Sequence, residues 1–393
     1  MMRIGVDAAC LANARGYGRF TRELLKAMFA LAPDDEFVLF LDEQAQDHID
    51  FDAPNVRAVS VDQRVSPTRA AAADTYRSPG DMLRFSAAVW RERPDVFFSP
   101  SVYTYFPLPP RIPALVAIHD AIAERYPELT LPGRRARLFW NLKVRLALWQ
   151  ADLILTVSDY AALELQEVLH LAPGRIRVAV EAPAAGYRPS DSRADVQAAA
   201  TRLGLPDGAR WYVYVGGFNP HKRVDRIVRA HARLVAERPA DPVHLLLVGT
   251  TSADVFHGEV EHIRRTVAEL GTGELVHWTG WIPDDELRHI HSGAIALVLP
   301  SESEGFGLPA VEAAACGTPV IATTASPLPQ LLEGGGIFIQ PGDEDALTAA
   351  LLRLSGDEDC RRRFGAVART RAAALCWDTS AHATLGALRE VVA

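Results

Sequence analysis

Short apolar runs rich in β-branched and aromatic residues alternate with helical patterns along the whole chain. The first half carries RIGVDA, EFVLFL, VRAVSV, DVFFSP, PALVAIH, DLILTVS and IRVAV, and the second half carries WYVYVGG, VHLLLVG, LVHWTG, AIALVLP, TPVIAT and GIFIQ. Strands of this kind, separated by helices, are typical of βα units on parallel sheets. We therefore predict an α/β fold in which each half of the chain forms its own parallel sheet.

A break in this rhythm divides the chain into two predicted domains. Residues 182–210 are polar, are interrupted by Pro and Gly, and lack a strand pattern. We predict Rossmann-like domains over residues 1–188 and 189–376. Both are expected to be doubly wound, because near-continuous apolar strands imply sheets covered by helices on both faces. Ligands of such sheets bind beyond the carboxyl ends of the strands, so a cleft between two facing domains is the expected site.

Composition narrows the class of protein. The 393 residues are 49% hydrophobic and 23% charged, as in a globular protein, and a net charge of -8 argues against a general nucleic-acid binder. The four cysteines lack the close spacing of zinc or redox sites, so we expect free thiols. No apolar run is long enough to span a bilayer and no signal peptide is evident, which predicts a cytoplasmic location.

One segment, SESEGFGLPAVEAAACGTPVIA at residues 301–322, suggests specific chemistry. A strand ends before it, and Pro309 is placed to begin a helix that runs to Cys316. Gly305 would let the backbone approach a ligand closely, and the helix start favours an anion such as phosphate. Glu304 and Glu312 lie on either side of that anion position, a layout that suits a sugar, two phosphates and a ribose. Taken alone, two glutamates at this spacing are more often ordinary exposed residues around a helix start.

The complete string EGFGLPAVEAAACGTPVIA closely resembles the E-x7-E signature of retaining GT-B glycosyltransferases of family 4. Five further segments resemble the family in the same order: RIGVDAACLANARGYGRFTRELLKAM, VAIHDAIAERYPE, ADLILTVSDYAALEL, YVGGFNPHKRVDRIVRA and WDTSAHATLGALREVVA. The resemblance covers nearly the whole chain. It implies a GT-B fold of two Rossmann-like domains facing a cleft, with a closing helix at residues 377–393 that returns to the first domain.

The resemblance also implies roles for the residues of this motif. Glu304 takes the position of the glutamate that contacts the donor sugar near the reacting centre, and Glu312 that of the glutamate that binds the ribose. Backbone amides around Phe306, Gly307 and Leu308 take the position that holds the diphosphate. Cations aimed at this leaving group would stabilise the transition state.

Lys222 matches the family's phosphate-binding lysine. A basic residue at a helix start is unfavourable unless an anion is nearby, although a solvated basic helix start is the alternative. Many relatives carry an arginine immediately after the VG of this strand, where this chain has Gly217. Arg223 is a candidate for the missing charge, but adjacent side chains on a helix diverge.

In the first domain, His119 matches the histidine that touches the donor sugar, although a histidine at a strand end is commonly structural. Gly16 and Gly18, in ARGYGRF, are predicted to form a loop that packs against the diphosphate or the acceptor. The segment is not a dinucleotide fingerprint, because that pattern requires glycine where Thr21 stands.

The implied reaction is retaining transfer of a hexose from a nucleotide-diphosphate sugar to an acceptor hydroxyl, in bacterial glycan or glycolipid assembly. A front-face substitution is the implied mechanism, and no metal or other cofactor is expected. GDP-mannose and UDP-linked hexoses are both open as donors, and glycans and lipid-linked molecules as acceptors. The alternatives are a non-catalytic GT-B partner subunit and a nucleotide-sugar epimerase.

Two other patterns bear on metals and membranes. The triplets at residues 343–345 and 357–359 look like metal-binding D-x-D motifs, but each follows a glycine and leads into a helical pattern, so we predict helix caps. In residues 134–149, Phe139, Leu142 and Trp149 belong to an apolar stripe opposite several arginines. The stripe either covers the N-terminal sheet or rests on an anionic membrane, with at most weak, salt-sensitive peripheral binding at its inner face.

Overall fold

A computed structural model describes residues 1–13, 16–49, 51, 53–67, 78–131, 133–251 and 258–393. The chain forms two compact units, which we describe separately: residues 1–181 with 376–393, and residues 182–375. The division falls after Glu181 rather than at residue 188. Segment 182–188 belongs to the second unit, where the Tyr187 hydroxyl donates a 2.8 Å hydrogen bond to Asp284.

The N-terminal unit contains a parallel sheet of seven strands within the described residues. The strands are β1 (Arg3–Asp7), β2 (Glu36–Leu41), β3 (Val56–Ser60), β4 (Val96–Ser99), β5 (Ala114–Ala117), β6 (Leu153–Thr156) and β7 (Ile176–Val178). Their order is β3-β2-β1-β4-β5-β6-β7. Each apolar run that predicts a strand in the first half contains one. Most of these strands are buried within the sheet, whereas the edge strand β3 has no buried residue.

The C-terminal unit contains a parallel sheet of six strands, again counted over the described part of the chain. The strands are β8 (Arg210–Val215), β9 (Val243–Val248), β10 (Val276–Gly280), β11 (Leu297–Leu299), β12 (Val320–Thr323) and β13 (Gly336–Ile339). Their order is β10-β9-β8-β11-β12-β13. The predicted α/β fold of two parallel, doubly wound sheets is confirmed.

The α-helices connect the strands. In the N-terminal unit they are α1 (Gly16–Leu31), α2 (Glu43–Gln46), α3 (Pro79–Glu92), α4 (Ile122–Arg125), α5 (Pro127–Thr130), α6 (Gly133–Gln150) and α7 (Asp159–Leu169). In the C-terminal unit they are α8 (Arg193–Arg202), α9 (Val224–Glu237), α10 (Val260–Glu269), α11 (Asp284–Gly293), α12 (Leu308–Ala315), α13 (Leu328–Leu331), α14 (Glu344–Gly356) and α15 (Glu358–Ala372). Helix α16 (Trp377–Val392) belongs to the N-terminal unit, where the Ser380 hydroxyl donates to the Val180 carbonyl.

Each sheet has one point at which the strand order changes direction. In the N-terminal unit this point lies between β1 and β4, and in the C-terminal unit it lies between β8 and β11. The loops that leave the carboxyl ends of these strand pairs diverge, which opens a crevice where ligands of doubly wound sheets bind. The fold therefore directs attention to the loops after β8 and β11.

Helix α6 corrects one sequence-based interpretation. The side chains that α6 buries are Trp140, Val144 and Ala147. Leu142 and Trp149, members of the predicted apolar stripe, are 51% and 80% exposed. The interpretation that the stripe covers the N-terminal sheet is therefore wrong. The sequence shows two apolar faces on this helix, and packing selects the one that carries Trp140.

Candidate functional site

The loop after β11 leads directly into α12. This helix spans Leu308–Ala315, so it begins one residue before Pro309, and Gly307 precedes it as the N-cap residue. Gly307 has a left-handed φ of 87°, and a Cβ atom there would lie 2.8 Å from Leu328 Cδ1. Glycine is thus required both by the backbone conformation and by the close packing. The turn brings the first amides of α12 to the carboxyl edge of the sheet, a favourable position for an anion.

Glu304 is held in this loop by a defined set of contacts. Its carboxylate lies 2.7 and 2.9 Å from the ammonium of Lys222, and it accepts a 2.6 Å hydrogen bond from the Ser301 hydroxyl. Its amide donates to the carbonyl of Ala325. Only 6% of Glu304 is exposed, so the alternative of an ordinary surface residue is wrong. These contacts hold the carboxylate in a fixed orientation.

Lys222 reaches Glu304 from the neighbouring strand connection. The loop after β8 ends in a short 3₁₀ turn, Pro220–Lys222, and α9 follows. Because β8 and β11 are adjacent in the sheet, their loops meet at its carboxyl edge. The cation and the carboxylate, which are 82 residues apart in sequence, are therefore brought together by the strand order.

Arg223 contacts a different carboxylate. Its Nε lies 2.5 Å from Glu302 Oε1, while the Glu302 amide donates to the carbonyl of His221. The backbone of Arg223 is left-handed, with φ of 54°, which turns its side chain away from that of Lys222. Adjacent cations thus contact separate acids. Burial, with the charges of Lys222 and Arg223, holds the pKa of His221 well below its usual value.

Ser301 and Glu302 are the site residues that sequence reasoning missed. Both follow directly after the buried strand β11 and Pro300, which is where the polar residues of a crevice are expected. Their position in SESE, directly after a strand, could therefore have identified them as site residues. The contact of Glu302 with Arg223 was not available from the sequence, because it depends on the order of the strands.

Glu312 lies on the buried side of α12. It is 3% exposed, so the surface alternative is wrong for this glutamate as well. Burial first, and then the charge of Glu312, raise the pKa of the Cys316 thiol to about 12. The side chains of Phe306 and Leu308 are also buried, at 4% and 6% exposure. Of these two residues, the backbone rather than the side chain is therefore suited to contact a ligand.

Gly16 and Gly18 require a correction. Residues 14 and 15 of the predicted glycine loop lie outside the described residues, but Gly16 and Gly18 form the first turn of α1 rather than a loop. A Cβ atom on Gly18 would lie only 1.8 Å from the carbonyl oxygen of Asn13. Gly18 is therefore needed where the helix start packs against the preceding backbone. Gly16 has open space around it.

His119, in the N-terminal unit, is held by a hydrogen bond from its ring and by packing against an aromatic side chain. Nε2 donates a 2.8 Å hydrogen bond to the carbonyl of Pro100, so Nδ1 carries the lone pair of the neutral ring. Nδ1 lies 3.8 Å from Glu181 Oε1, and the ring packs edge-on against Phe20. Burial lowers the pKa of His119 to about 4. At neutral pH the imidazole is therefore uncharged and able to accept a hydrogen bond.

This shifted pKa predicts how stability depends on pH. The unfolded chain binds a proton at His119 near pH 6.5 and the folded protein only near pH 4, so stability falls as pH is lowered through that window. Between pH 7 and pH 5, His119 should account for about 2 kcal/mol of lost unfolding free energy. Denaturant unfolding measures the loss of unfolding free energy between pH 7 and pH 5. We expect this loss to be smaller in His119→Gln than in the wild type by about 2 kcal/mol. In His48→Gln, which replaces an exposed histidine, the loss should equal that of the wild type. Equal losses for wild type and His119→Gln would contradict this assignment.

The two acidic triplets are helix caps, as predicted. Asp343 Oδ1 accepts a 2.8 Å hydrogen bond from the Ala346 amide at the start of α14. Asp357 Oδ1 accepts one of the same length from the Cys360 amide at the start of α15. In the part of the chain that the structure describes, no group of three or more His, Cys, Asp or Glu side chains is arranged to hold a metal ion.

Two family models match this chain on either side of the division between the units. The model of a glycosyl transferase 4-like domain matches residues 15–180, and the model of glycosyl transferases group 1 matches residues 195–371. Together they account for most of both units.

Two curated bacterial proteins are similar in sequence. O-antigen chain mannosyltransferase B of Escherichia coli is 28% identical over 387 residues, which cover 95% of this chain and 96% of that protein. A D-inositol 3-phosphate glycosyltransferase of Streptomyces avermitilis is 34% identical over 260 residues. The matched region covers 64% of this chain and 54% of the Streptomyces protein. The chain thus spans about half the length of that relative.

Solved structures agree with the fold. A sucrose-phosphate synthase from Thermosynechococcus elongatus has a TM-score of 0.77 at 22% identity, over 100% of this chain and 99% of its own. HepE of Anabaena, solved in complex with UDP-glucose, has a TM-score of 0.72 at 18% identity, over 99% and 100% of the two chains. With two parallel-sheet Rossmann-like units and both family models matched, the chain belongs to the GT-B glycosyltransferases of the family 4 type.

Proposed function

We propose that this protein is a retaining glycosyltransferase that moves a hexose from a nucleotide-diphosphate sugar to an acceptor hydroxyl in bacterial glycan or glycolipid assembly. The observation that carries the proposal is the ion pair of partly buried Lys222 with buried Glu304 at the carboxyl ends of β8 and β11, beside the start of α12. A mannosyltransferase and an inositol phosphate glycosyltransferase among the relatives, and HepE with UDP-glucose among the similar structures, support it.

In the proposed complex the diphosphate takes the position at the start of α12. The amides around Gly305, Phe306, Gly307 and Leu308 donate to its oxygens, and Lys222 supplies a positive charge. Lys222 is 2.7 Å from Glu304 without donor, so donor binding requires its ammonium to turn from the carboxylate towards the phosphate. Glu304 is then left to accept hydrogen bonds from the hydroxyls of the sugar.

This exchange suits sugar transfer. As the glycosidic bond breaks, negative charge grows on the diphosphate and positive charge grows on the sugar ring. Lys222 and the α12 amides stabilise the negative charge on the diphosphate, and the carboxylate of Glu304 stabilises the positive charge on the sugar ring. The leaving phosphate oxygen takes the proton of the attacking acceptor hydroxyl on the same face of the sugar, so the anomeric configuration is retained.

The remaining assignments follow the family resemblance. Glu312 binds the ribose hydroxyls, and Arg223 contributes charge near the diphosphate. In the N-terminal unit, His119 contacts the donor sugar, and Gly16 and Gly18 belong to the part of that unit assigned to the diphosphate or the acceptor. GDP-mannose and UDP-linked hexoses both remain candidate donors.

The alternatives are weaker. A partner subunit without activity has no need for Lys222, Glu304, Glu312 and His119 together. A nucleotide-sugar epimerase would alter an isotope-labelled donor in the absence of acceptor. We expect the labelled hexose to stay unchanged without acceptor and to appear in product with it. Proton NMR of the new glycosidic bond should then show the anomeric configuration of the donor, whereas an inverted product would contradict the retaining mechanism.

Transfer is predicted to proceed without a divalent metal ion. The positive charge that a metal would supply to the diphosphate is provided here by Lys222 and by the amides at the α12 start. Initial rates should therefore be unchanged after exhaustive chelation and after addition of magnesium or manganese. Loss of activity with chelator, its return with metal, and inactivity of the Asp343→Asn, Asp345→Asn double variant would contradict this prediction.

A further inference from the structure

The outer face of α6 carries an unusual concentration of exposed apolar side chains. We call these residues the α6 stripe: Leu138, Phe139, Leu142, Leu146 and Trp149. Leu138 is 66% exposed and Trp149 is 80% exposed, and the other three lie between 38% and 51%. Helical spacing places the stripe on one side of α6, opposite the buried Trp140 face. Isolated exposed leucines are common, but a contiguous stripe of this kind marks an interaction surface.

The charge of α6 is opposite to that of the whole chain. The helix contains five basic residues, Arg134, Arg135, Arg137, Lys143 and Arg145, and no acidic residue. The chain as a whole has a net charge of -8. Arg134 and Arg145 are exposed along one edge of the α6 stripe rather than opposite to it as predicted from the sequence, because a turn of about 100° per residue places them next to Leu138 and Trp149. The guanidinium of Arg135 lies 5.7 Å from the ring centre of Phe139. Within α6, the charged neighbours of the stripe are therefore all positive.

The helix is firmly attached to its unit, so the α6 stripe is displayed in a fixed orientation. Trp140 Nε1 donates a 2.7 Å hydrogen bond to Glu124, and Lys143 donates to the carbonyl of Tyr103. At the far end, Gln150 accepts from the Leu108 amide and donates to the Leu108 carbonyl. A partner that binds the stripe therefore does not have to order the helix first.

These observations favour one kind of partner. A second copy of the chain would bring the exposed Arg134, Arg135 and Arg145 of one helix against those of the other, which is unfavourable. A bilayer with anionic phospholipids offers both an apolar layer for the stripe and negative head groups for the arginines. We propose that the α6 stripe and its flanking arginines are a docking surface for an anionic membrane, on which α6 lies parallel to the surface. No helix in the described residues is long and apolar enough to cross a membrane.

Flotation with vesicles tests this surface without any sugar donor, so it is independent of the proposed transferase activity. We expect the full chain to bind vesicles of phosphatidylethanolamine with phosphatidylglycerol, to bind pure phosphatidylcholine vesicles far less, and to dissociate at high salt. Leu142→Gln with Trp149→Ser should weaken binding about tenfold or more. Arg134→Glu with Arg145→Glu should weaken it about 25-fold or more, since each basic residue near the surface contributes a factor of about five.

Matched controls separate this surface from general effects. Leu83→Gln with Leu163→Gln replaces leucines that are exposed elsewhere in the same unit, and Arg91→Glu with Arg369→Glu makes the same charge change on other helices. Both controls should bind as the wild type does. The proposal is overturned if the wild type does not bind anionic vesicles, or if the Leu142, Trp149 variant binds as well as the wild type. It is equally overturned if sedimentation shows a dimer that this variant abolishes.

Discussion

Replacing Lys222 by alanine is expected to lower kcat/KM about 100-fold or more, the effect of removing one preorganised charge from a developing anion. The same variant should lose about 3 kcal/mol of unfolding free energy without donor, because Glu304 would remain buried without its cation. Steady-state kinetics and denaturant unfolding measure the two effects. Lys222 is thus predicted to stabilise the free protein through the carboxylate of Glu304 and the transition state through the diphosphate.

Two further variants make this prediction specific. Lys222→Met keeps most of the side-chain volume without the charge and should behave like the alanine variant, whereas Lys222→Arg should recover part of both losses. Arg229→Ala, at a partly exposed position on α9, is the control for loss of a nearby cation and should leave kcat/KM unchanged. Wild-type kinetics in Lys222→Met would show that its charge does not act on the leaving group.

Glu304→Gln is expected to lower kcat at least about tenfold while the fold stays intact, because it removes negative charge beside the reacting sugar. Glutamine still accepts from Ser301, so the loop should keep its shape. KM should change less than kcat, since the interaction is strongest in the transition state. Initial rates over a range of donor concentrations, with thermal melting as the fold check, provide the measurement.

Glu164→Gln is the matched control for this variant. Glu164 is also a buried glutamate in an ion pair, 3.0 Å from Arg125, but it lies in α7 of the N-terminal unit. It should change stability without lowering kcat. In the double variant Lys222→Ala, Glu304→Gln, the two losses should not add, because the residues are in contact. Undiminished kcat in Glu304→Gln would remove this residue from the mechanism.

The strands could be predicted because their signal is local. The apolar β-branched runs specify strands by themselves, and the glycine and proline of EGFGLP specify the turn and start of α12 to within one residue. The caps at Asp343 and Asp357 were likewise predictable, since a cap depends on the residues that follow it.

The remaining features depend on which surfaces pack together. The apolar pattern of α6 is compatible with burial on either of two sides, and only the contact of Trp140 with the unit distinguishes them. Gly18 looks like a loop glycine until the backbone of Asn13 is seen against it. The contact of Lys222 with Glu304 requires β8 beside β11, which no local pattern encodes.

Ligand-induced thermal stabilisation tests the central claim most directly, with a panel of nucleoside diphosphates and nucleotide sugars. A ligand at 100 times its dissociation constant should stabilise the protein by about 2.7 kcal/mol. We predict stabilisation by at least one nucleotide sugar and its nucleoside diphosphate, without added metal. This stabilisation should be much reduced in Lys222→Ala and Glu312→Ala and retained in Glu164→Gln. No stabilisation by any GDP- or UDP-linked hexose, or stabilisation that is unchanged in both site variants, would contradict the account of a nucleotide-sugar site at the carboxyl ends of β8 and β11.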